Sequence, residues 1–167
     1  MTNENPMQEL LQELSKLLIG KNIKLVTVES CTGGLVGKII TDQAGSSGWY
    51  ESGFITYSNE AKHKLVGVDT QLLESFGAVS EQVASAMAFG ACKLFPNCIS
   101  LSITGIAGPG GGSDEKPVGL VYLSVCYSGH SKTVKCLFDG SRDAVRQSAL
   151  QKGLDLLNDF LTNLNHV

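Results

Sequence analysis

Apolar residues recur along this chain with two alternating periods. Leu10, Leu11, Leu14, Leu17 and Leu18 keep the helical spacing after Asn5-Pro6, a cap residue followed by proline at a first helical position. This predicts a helix ending at Gly20. Ile23 to Val28 is a short β-branched run that reads as a buried strand. Ser30-Cys31-Thr32-Gly33-Gly34 then turns into a short helix over Leu35 to Ile40, and Gly45 to Gly48 is a loop. Trp49 to Tyr57 is a second strand. Ser58, Asp69 and Ser80 each cap a further helix, the last running to about Phe95. Ile99 to Thr104 is a third strand, and Gly105 to Pro117 a glycine-rich loop. Val118 to Cys126 and Thr133 to Phe138 pair as a hairpin through Tyr127 to Ser131. Ser141 opens a last long helix. Strands alternating with helices, apart from the one hairpin, predict an α/β fold: a three-layer sandwich on a mixed, mainly parallel sheet.

With 167 residues and no internal repeat, the chain is expected to form a single domain over 1–167. Hydrophobic residues make up 43 %, which excludes disorder, and the 13 basic against 16 acidic residues give a net charge of −3. A general nucleic-acid binder needs a basic footprint, so no direct nucleic-acid partner is expected. No apolar run reaches the length of a membrane span, and the polar N-terminus lacks a signal-peptide pattern; a cytoplasmic protein is expected. Five cysteines without a C-x-x-C pair and three scattered histidines offer neither a disulfide framework nor a metal-ligand pattern. Free thiols and no metal are therefore expected. Sparse surface charge on an apolar chain points to a homo-oligomer, expected as a dimer.

In open α/β sheets ligands bind beyond the carboxyl ends of the strands, where three segments should gather. Ser30 to Gly34 puts a hydroxyl at a strand end and glycines at a helix start, whose free N–H groups could hold an oxyanion. The same residues would also serve as a plain cap and turn. Tyr57, Lys62 and His63 form the second group. A lysine lowered by burial could act as base for a serine, with Tyr57 carrying the proton; the alternative is a solvated Lys62 and a core Tyr57. His63 is a rival base, but it should face another side of the helix than Lys62. Thr104 to Gly112 forms the third group, a loop able to wrap a phosphate, or a plain connector. It matches neither the P-loop nor the G-x-G-x-x-G spacing. Arg142 and Arg146, one turn apart near a helix start, oppose the helix dipole. An anionic ligand, an acidic neighbour or solvation would offset this.

Five fragments in order resemble the CinA C-terminal domain family, the nicotinamide-nucleotide amidohydrolases. They are Glu29-Ser30-Cys31-Thr32-Gly33-Gly34; Tyr57-Ser58-Asn59-Glu60-Ala61-Lys62 with Leu65-Val66-Gly67-Val68; Gly77-Ala78-Val79-Ser80; Thr104-Gly105-Ile106-Ala107-Gly108-Pro109-Gly110-Gly111 with Lys116-Pro117-Val118-Gly119; and Phe138-Asp139-Gly140-Ser141-Arg142 with Val145-Arg146. The resemblance spans about residues 8 to 163. It implies a five-stranded α/β/α sandwich and a stand-alone form of the domain. It also implies cofactor-free hydrolysis of the carboxamide of nicotinamide mononucleotide to nicotinic acid mononucleotide and ammonia. Ser30 would be the nucleophile, Lys62 the base and Tyr57 its hydrogen-bonded partner. Cys31, Thr32, Gly33, Gly34, Thr104, Gly105, Gly108, Arg142 and Arg146 are the expected substrate-binding residues, the two arginines and the glycine loop for phosphate and ribose. Cys31 is a rival nucleophile whose pKa a helix start would lower, but it cannot face the same carbonyl as Ser30. The alternative function is a catalytically inactive pyridine-nucleotide-binding or competence-associated regulatory protein.

Overall fold

A computed structural model describes residues 5–164. The elements follow in the order α1 (Pro6–Lys21), β1 (Lys24–Glu29), α2 (Leu35–Thr41), a single 3₁₀ turn (Ser46–Gly48), β2 (Tyr50–Ile55), α3 (Asn59–Val66), α4 (Thr70–Phe76), α5 (Glu81–Leu94), β3 (Cys98–Gly105), β4 (Leu120–Tyr127), β5 (His130–Leu137) and α6 (Arg142–Asn163). The expected caps form. Asn5 accepts from the Met7 amide, Ser58 from Ala61, Asp69 from Gln71, Ser80 from Val83 and Ser141 from Ala144.

The five strands lie in the order β2-β1-β3-β4-β5. β1 is parallel to both β2 and β3, while β3–β4 and β4–β5 are antiparallel, so four strands share one direction and β4 alone is reversed. Strand alternation sends Leu25, Ile99, Leu101, Ile103, Val121, Leu123 and Val125 to one face. There they pack with Leu14 and Leu18 of α1, Val36 and Ile40 of α2, and Val145, Leu154 and Leu157 of α6. Val26 and Val28 point to the other face, against Val66 of α3, Leu73 of α4 and Val83, Met87 and Ala91 of α5. That is the three-layer sandwich on a mixed sheet, and it follows from the period-2 apolar pattern of buried strands.

α5 rides close on its face of the sheet. Ala84, Ala88 and Ala91 are small, while Gly90 admits α3 instead, where a β-carbon would stand 1.8 Å from the Val66 carbonyl oxygen. Closeness lets Ser100 and Ser102 of β3 donate to the Ala88 and Ala84 carbonyls at 2.7 and 2.6 Å, which satisfies two hydroxyls that are wholly buried.

Several element ends depart from expectation by a residue or more, and three of them matter to the architecture or the site. α1 continues past Gly20 to Lys21 because Asn22, at φ +55°, takes the left-handed position that glycine was expected to fill. The hairpin turns in two residues rather than five, with Ser128 and Gly129 both at positive φ, the requirement of a tight primed turn matched to strand twist. β2 stops at Ile55, leaving Tyr57 two residues beyond it.

The topology places the site. α2, which follows β1, covers one face, and α3, which follows β2, covers the other. Neighbouring parallel strands whose connections leave in opposite directions open a crevice at their carboxyl ends. Ser30 and Lys62 approach that crevice from its two sides.

Candidate active site

Ser30 directly follows β1, its amide held by the Ile103 carbonyl of β3 at 2.9 Å. Lys62 occupies the first turn of α3 and reaches back under it. Its Nζ lies 3.1 Å from Ser30 Oγ and donates to the Thr56 carbonyl at 2.8 Å. Lysines are almost never fully buried, yet Lys62 is 1 % exposed, which rules out the solvated alternative. Burial brings the ammonium from an ordinary 10.5 down to about 8. His63, next in sequence, points elsewhere: its Nδ1 is 2.8 Å from the Val68 carbonyl.

A cavity of about 310 Å³ opens in front of this pair, at the lower end of the range for small-molecule sites. Of the expected residues, Ser30, Cys31, Tyr57, Lys62, Thr104, Gly105, Gly108 and Arg142 line it. Asn59, at the start of α3, and Ala78 and Val79, in the loop before α5, line it as well and were not singled out as site residues. Thr32, Gly33, Gly34 and Arg146 are not part of its wall.

Several expectations are corrected by this geometry. The helix start behind Ser30 is already occupied: Glu29, 2 % exposed, accepts from the Val36 and Gly37 amides at 2.9 and 3.1 Å. The Gly33 and Leu35 amides close turns onto the Ser30 and Thr32 carbonyls. The N–H groups expected at the α2 start are thus mostly spent. The amides of Cys31 and Thr32 are not used in closing these turns. The Cys31 thiol is not lowered by α2, which begins four residues later; burial pushes it up to about 11. Tyr57 is neither a core ring nor bonded to Lys62. It is 61 % exposed, and its hydroxyl accepts from Arg142 at 3.1 Å.

Both arginines donate to backbone carbonyls, Arg142 from an exposed position at the start of α6 and Arg146 from a half-buried one. Arg142 donates to Gly108 at 2.8 Å as well as to Tyr57. Arg146 donates to Cys31 at 3.2 Å and to Thr32 at 2.9 Å, so it braces the serine turn from behind instead of facing the cavity. The Thr104 hydroxyl is likewise committed, to the Ala78 carbonyl at 2.9 Å, and it anchors the loop before α5.

Glu29 is the positioning residue that sequence reasoning quoted within a motif but gave no role. The available signal was an acid closing an otherwise buried strand. Glu29→Ala would strip two buried amides of their acceptor, at about 1–3 kcal/mol, and free the turn that aims Ser30. Chemical denaturation should show the stability loss; Glu29→Gln, which keeps one acceptor oxygen, should lose less. Unchanged stability in Glu29→Ala would mean that the double capping contributes nothing.

A buried lysine paired with a serine at the strand ends of a three-layer α/β sandwich defines the class of site. The chain belongs to the CinA C-terminal domain family, whose model matches residues 7–161. It is 47 % identical over 165 residues to the nicotinamide-nucleotide amidohydrolase PncC of Escherichia coli strain K12, covering 98 % of this chain and 99 % of that one. It is also 46 % identical over 156 residues to a Clostridium perfringens strain SM101 protein described as competence-damage inducible; 93 % of this chain matches 38 % of that longer one. Among solved structures, the competence damage-inducible protein A of Klebsiella pneumoniae superposes with a TM-score of 0.91 at 32 % identity, covering 96 % of this chain and 99 % of that one. The competence/damage inducible protein CihA of Agrobacterium tumefaciens superposes at 0.90 with 38 % identity, covering 95 % and 97 %.

Proposed function

We propose that this protein is a nicotinamide-nucleotide amidohydrolase that converts nicotinamide mononucleotide to nicotinic acid mononucleotide and ammonia through a Ser30–Lys62 pair. The observation that carries the reading is the buried Lys62 amine 3.1 Å from Ser30 Oγ at the cavity wall. The identity to a relative bearing that activity's name supports the choice of substrate.

In this reading Lys62 acts unprotonated. Its N–H stays on the Thr56 carbonyl, which aims the lone pair at Ser30. Ser30 Oγ attacks the carboxamide carbon as its proton passes directly to Nζ, since Tyr57 is engaged with Arg142. The oxyanion is assigned to the backbone of the Ser30 turn, of which Ser30 and Cys31 line the cavity. A single lost donor of this kind typically costs about 10²–10³ in rate. The Lys62 ammonium then returns the proton to the departing nitrogen. Water, deprotonated by the same amine, releases the acyl group from Ser30 as the carboxylate product.

Arg142 is the one arginine on the cavity wall, so it is assigned the substrate phosphate, with the glycine loop at Gly108 beside it. Arg142→Ala should raise KM for the nucleotide at least tenfold and leave a phosphate-free pyridine amide little affected. Arg146→Ala should instead lower kcat for both, because it loosens the serine turn. A kcat/KM split of the opposite kind would exchange the two roles.

Ammonia release from nicotinamide mononucleotide by the purified protein tests the proposal. Turnover supports it. A nucleotide-dependent rise in Tm without ammonia would favour an inactive nucleotide-binding module.

A further inference from the structure

Two cysteines with no part in the proposed reaction meet beneath the distal end of α5. Ser100 and Cys126 are direct partners in the β3–β4 ladder and therefore share a face. That face is turned to α5, where Ser100 donates to the Ala88 carbonyl. Cys92 lies one helical turn beyond Ala88. Its thiol donates to the Cys126 carbonyl at 3.1 Å, with Ser100 Oγ at 3.3 Å and the Cys98 carbonyl at 3.6 Å. The Cys126 side chain, 1 % exposed, shares that face with Ser100. Both cysteines line a surface cavity of about 350 Å³ together with Phe89, Lys93, Pro96 and Ser128. Cys92 is half-buried, so a small oxidant entering from solvent meets its sulfur first.

We propose that Cys92 and Cys126 form an oxidative modification site, a dithiol that a hydroperoxide converts into an intramolecular disulfide. Cys92 thiolate attacks one peroxide oxygen; the S–O bond forms, the O–O bond breaks, and hydroxide leaves to become water. Cys126 then gives up its proton and attacks the Cys92 sulfenic sulfur. The S–S bond forms, the S–O bond breaks, and a second water departs. The two thiols supply the two electrons that reduce the peroxide.

The neighbours sort the roles. Cys92 is half-buried and opens on the cavity, whereas Cys126 is 1 % exposed. Cys92 is thus the attacking sulfur and Cys126 the resolving one, since access governs peroxide reactivity. Cys98 shares the α5 face, with its carbonyl 3.6 Å from Cys92 Sγ, but it is not part of the cavity wall that Cys92 and Cys126 line. Cys31 is buried and pushed up to about 11, and burial raises Cys98 and Cys136 as well.

The test treats the native full-length chain with hydrogen peroxide, alkylates it after denaturation and maps its peptides. Two of the five thiols should become unreactive, with a mass loss of about 2 Da and a linked peptide joining residues 92 and 126. Dithiothreitol should restore both. Cys92→Ser should abolish the linkage and leave ammonia release unchanged, since the site lies outside the catalytic cavity. Full alkylation of Cys92 and Cys126 after peroxide, oxidation confined to other cysteines, or linkage only between two chains would overturn the proposal. The peptide map of the unmutated chain decides the matter whether or not a Cys126 variant folds.

Discussion

Replacing Ser30 with alanine should reduce ammonia release from nicotinamide mononucleotide by about 10³–10⁶-fold, the range seen when a hydrolase loses its serine nucleophile, with the fold intact. The reason is local. Alanine removes one hydrogen bond, that from Lys62 Nζ, which keeps the Thr56 carbonyl as a partner; the backbone amide stays on Ile103, and the Glu29 capping of α2 is untouched. Only the attacking atom goes. Far-ultraviolet circular dichroism and Tm should match the parent chain, and KM should change little. Retention of most activity in Ser30→Ala would remove the nucleophile and move attention to Cys31, the next residue on the same wall. That alternative is chemically poor, because burial keeps the Cys31 thiol protonated at neutral pH and the thiolate is the reacting form.

Lys62→Met should have an effect of similar size on turnover, and it carries a second signature that a merely structural lysine would not give. Methionine fills the tunnel of the lysine stem but cannot accept a proton, so Ser30 loses its base. The stability readout follows from the depressed pKa. In the folded chain Lys62 releases its proton at about 8, whereas unfolded it does so near 10.5. Between those values the unfolded state binds more protons, so the folded state gains stability as pH rises through that window. Below about 8 burying the charge costs on the order of 3 kcal/mol, at about 1.4 kcal/mol per pH unit. The stability of the parent chain should therefore rise relative to Lys62→Met between about pH 8 and 10.5. Parallel pH–stability curves for the two chains would mean that Lys62 remains charged in the fold.

The sequence made the architecture legible because buried strands and amphipathic helices leave periodic traces. Leu14 and Leu18 on α1 are buried as their spacing predicts, and β1, read as a buried strand, packs on both faces through Leu25 and through Val26 and Val28. Cap residues marked helix starts for a similar reason: the bond from Ser58 to the Ala61 amide spans three residues. The serine–lysine pairing was reachable through strand-end logic together with the family fragments. Long-range side-chain contacts to backbone were not legible. Arg146 meets the Cys31 carbonyl across 115 positions, and nothing in its own neighbourhood distinguishes it from Arg142, which faces the cavity. Glu29 was hidden for another reason. An acid beside a candidate nucleophile invites a chemical reading, whereas its two oxygens are consumed by the helix it precedes. Tyr57 was misplaced because β2 ends two residues before it, which swings the ring outward to Arg142.

These corrections alter the division of labour within the site. One arginine faces the cavity where a substrate phosphate would sit, and the other supports the turn that presents Ser30. The glycine loop is held against α6 through the Gly108 carbonyl, so the cavity wall is braced from two elements far apart in the chain.

The dependence of kcat/KM on pH, measured by ammonia release from nicotinamide mononucleotide between about pH 6 and 10, bears most directly on the idea of an uncharged lysine acting as base. Activity should climb with pH and reach half its plateau near 8, the value at which burial lets Lys62 shed its proton. A profile that is flat across that interval, or that falls as the amine is deprotonated, would contradict it.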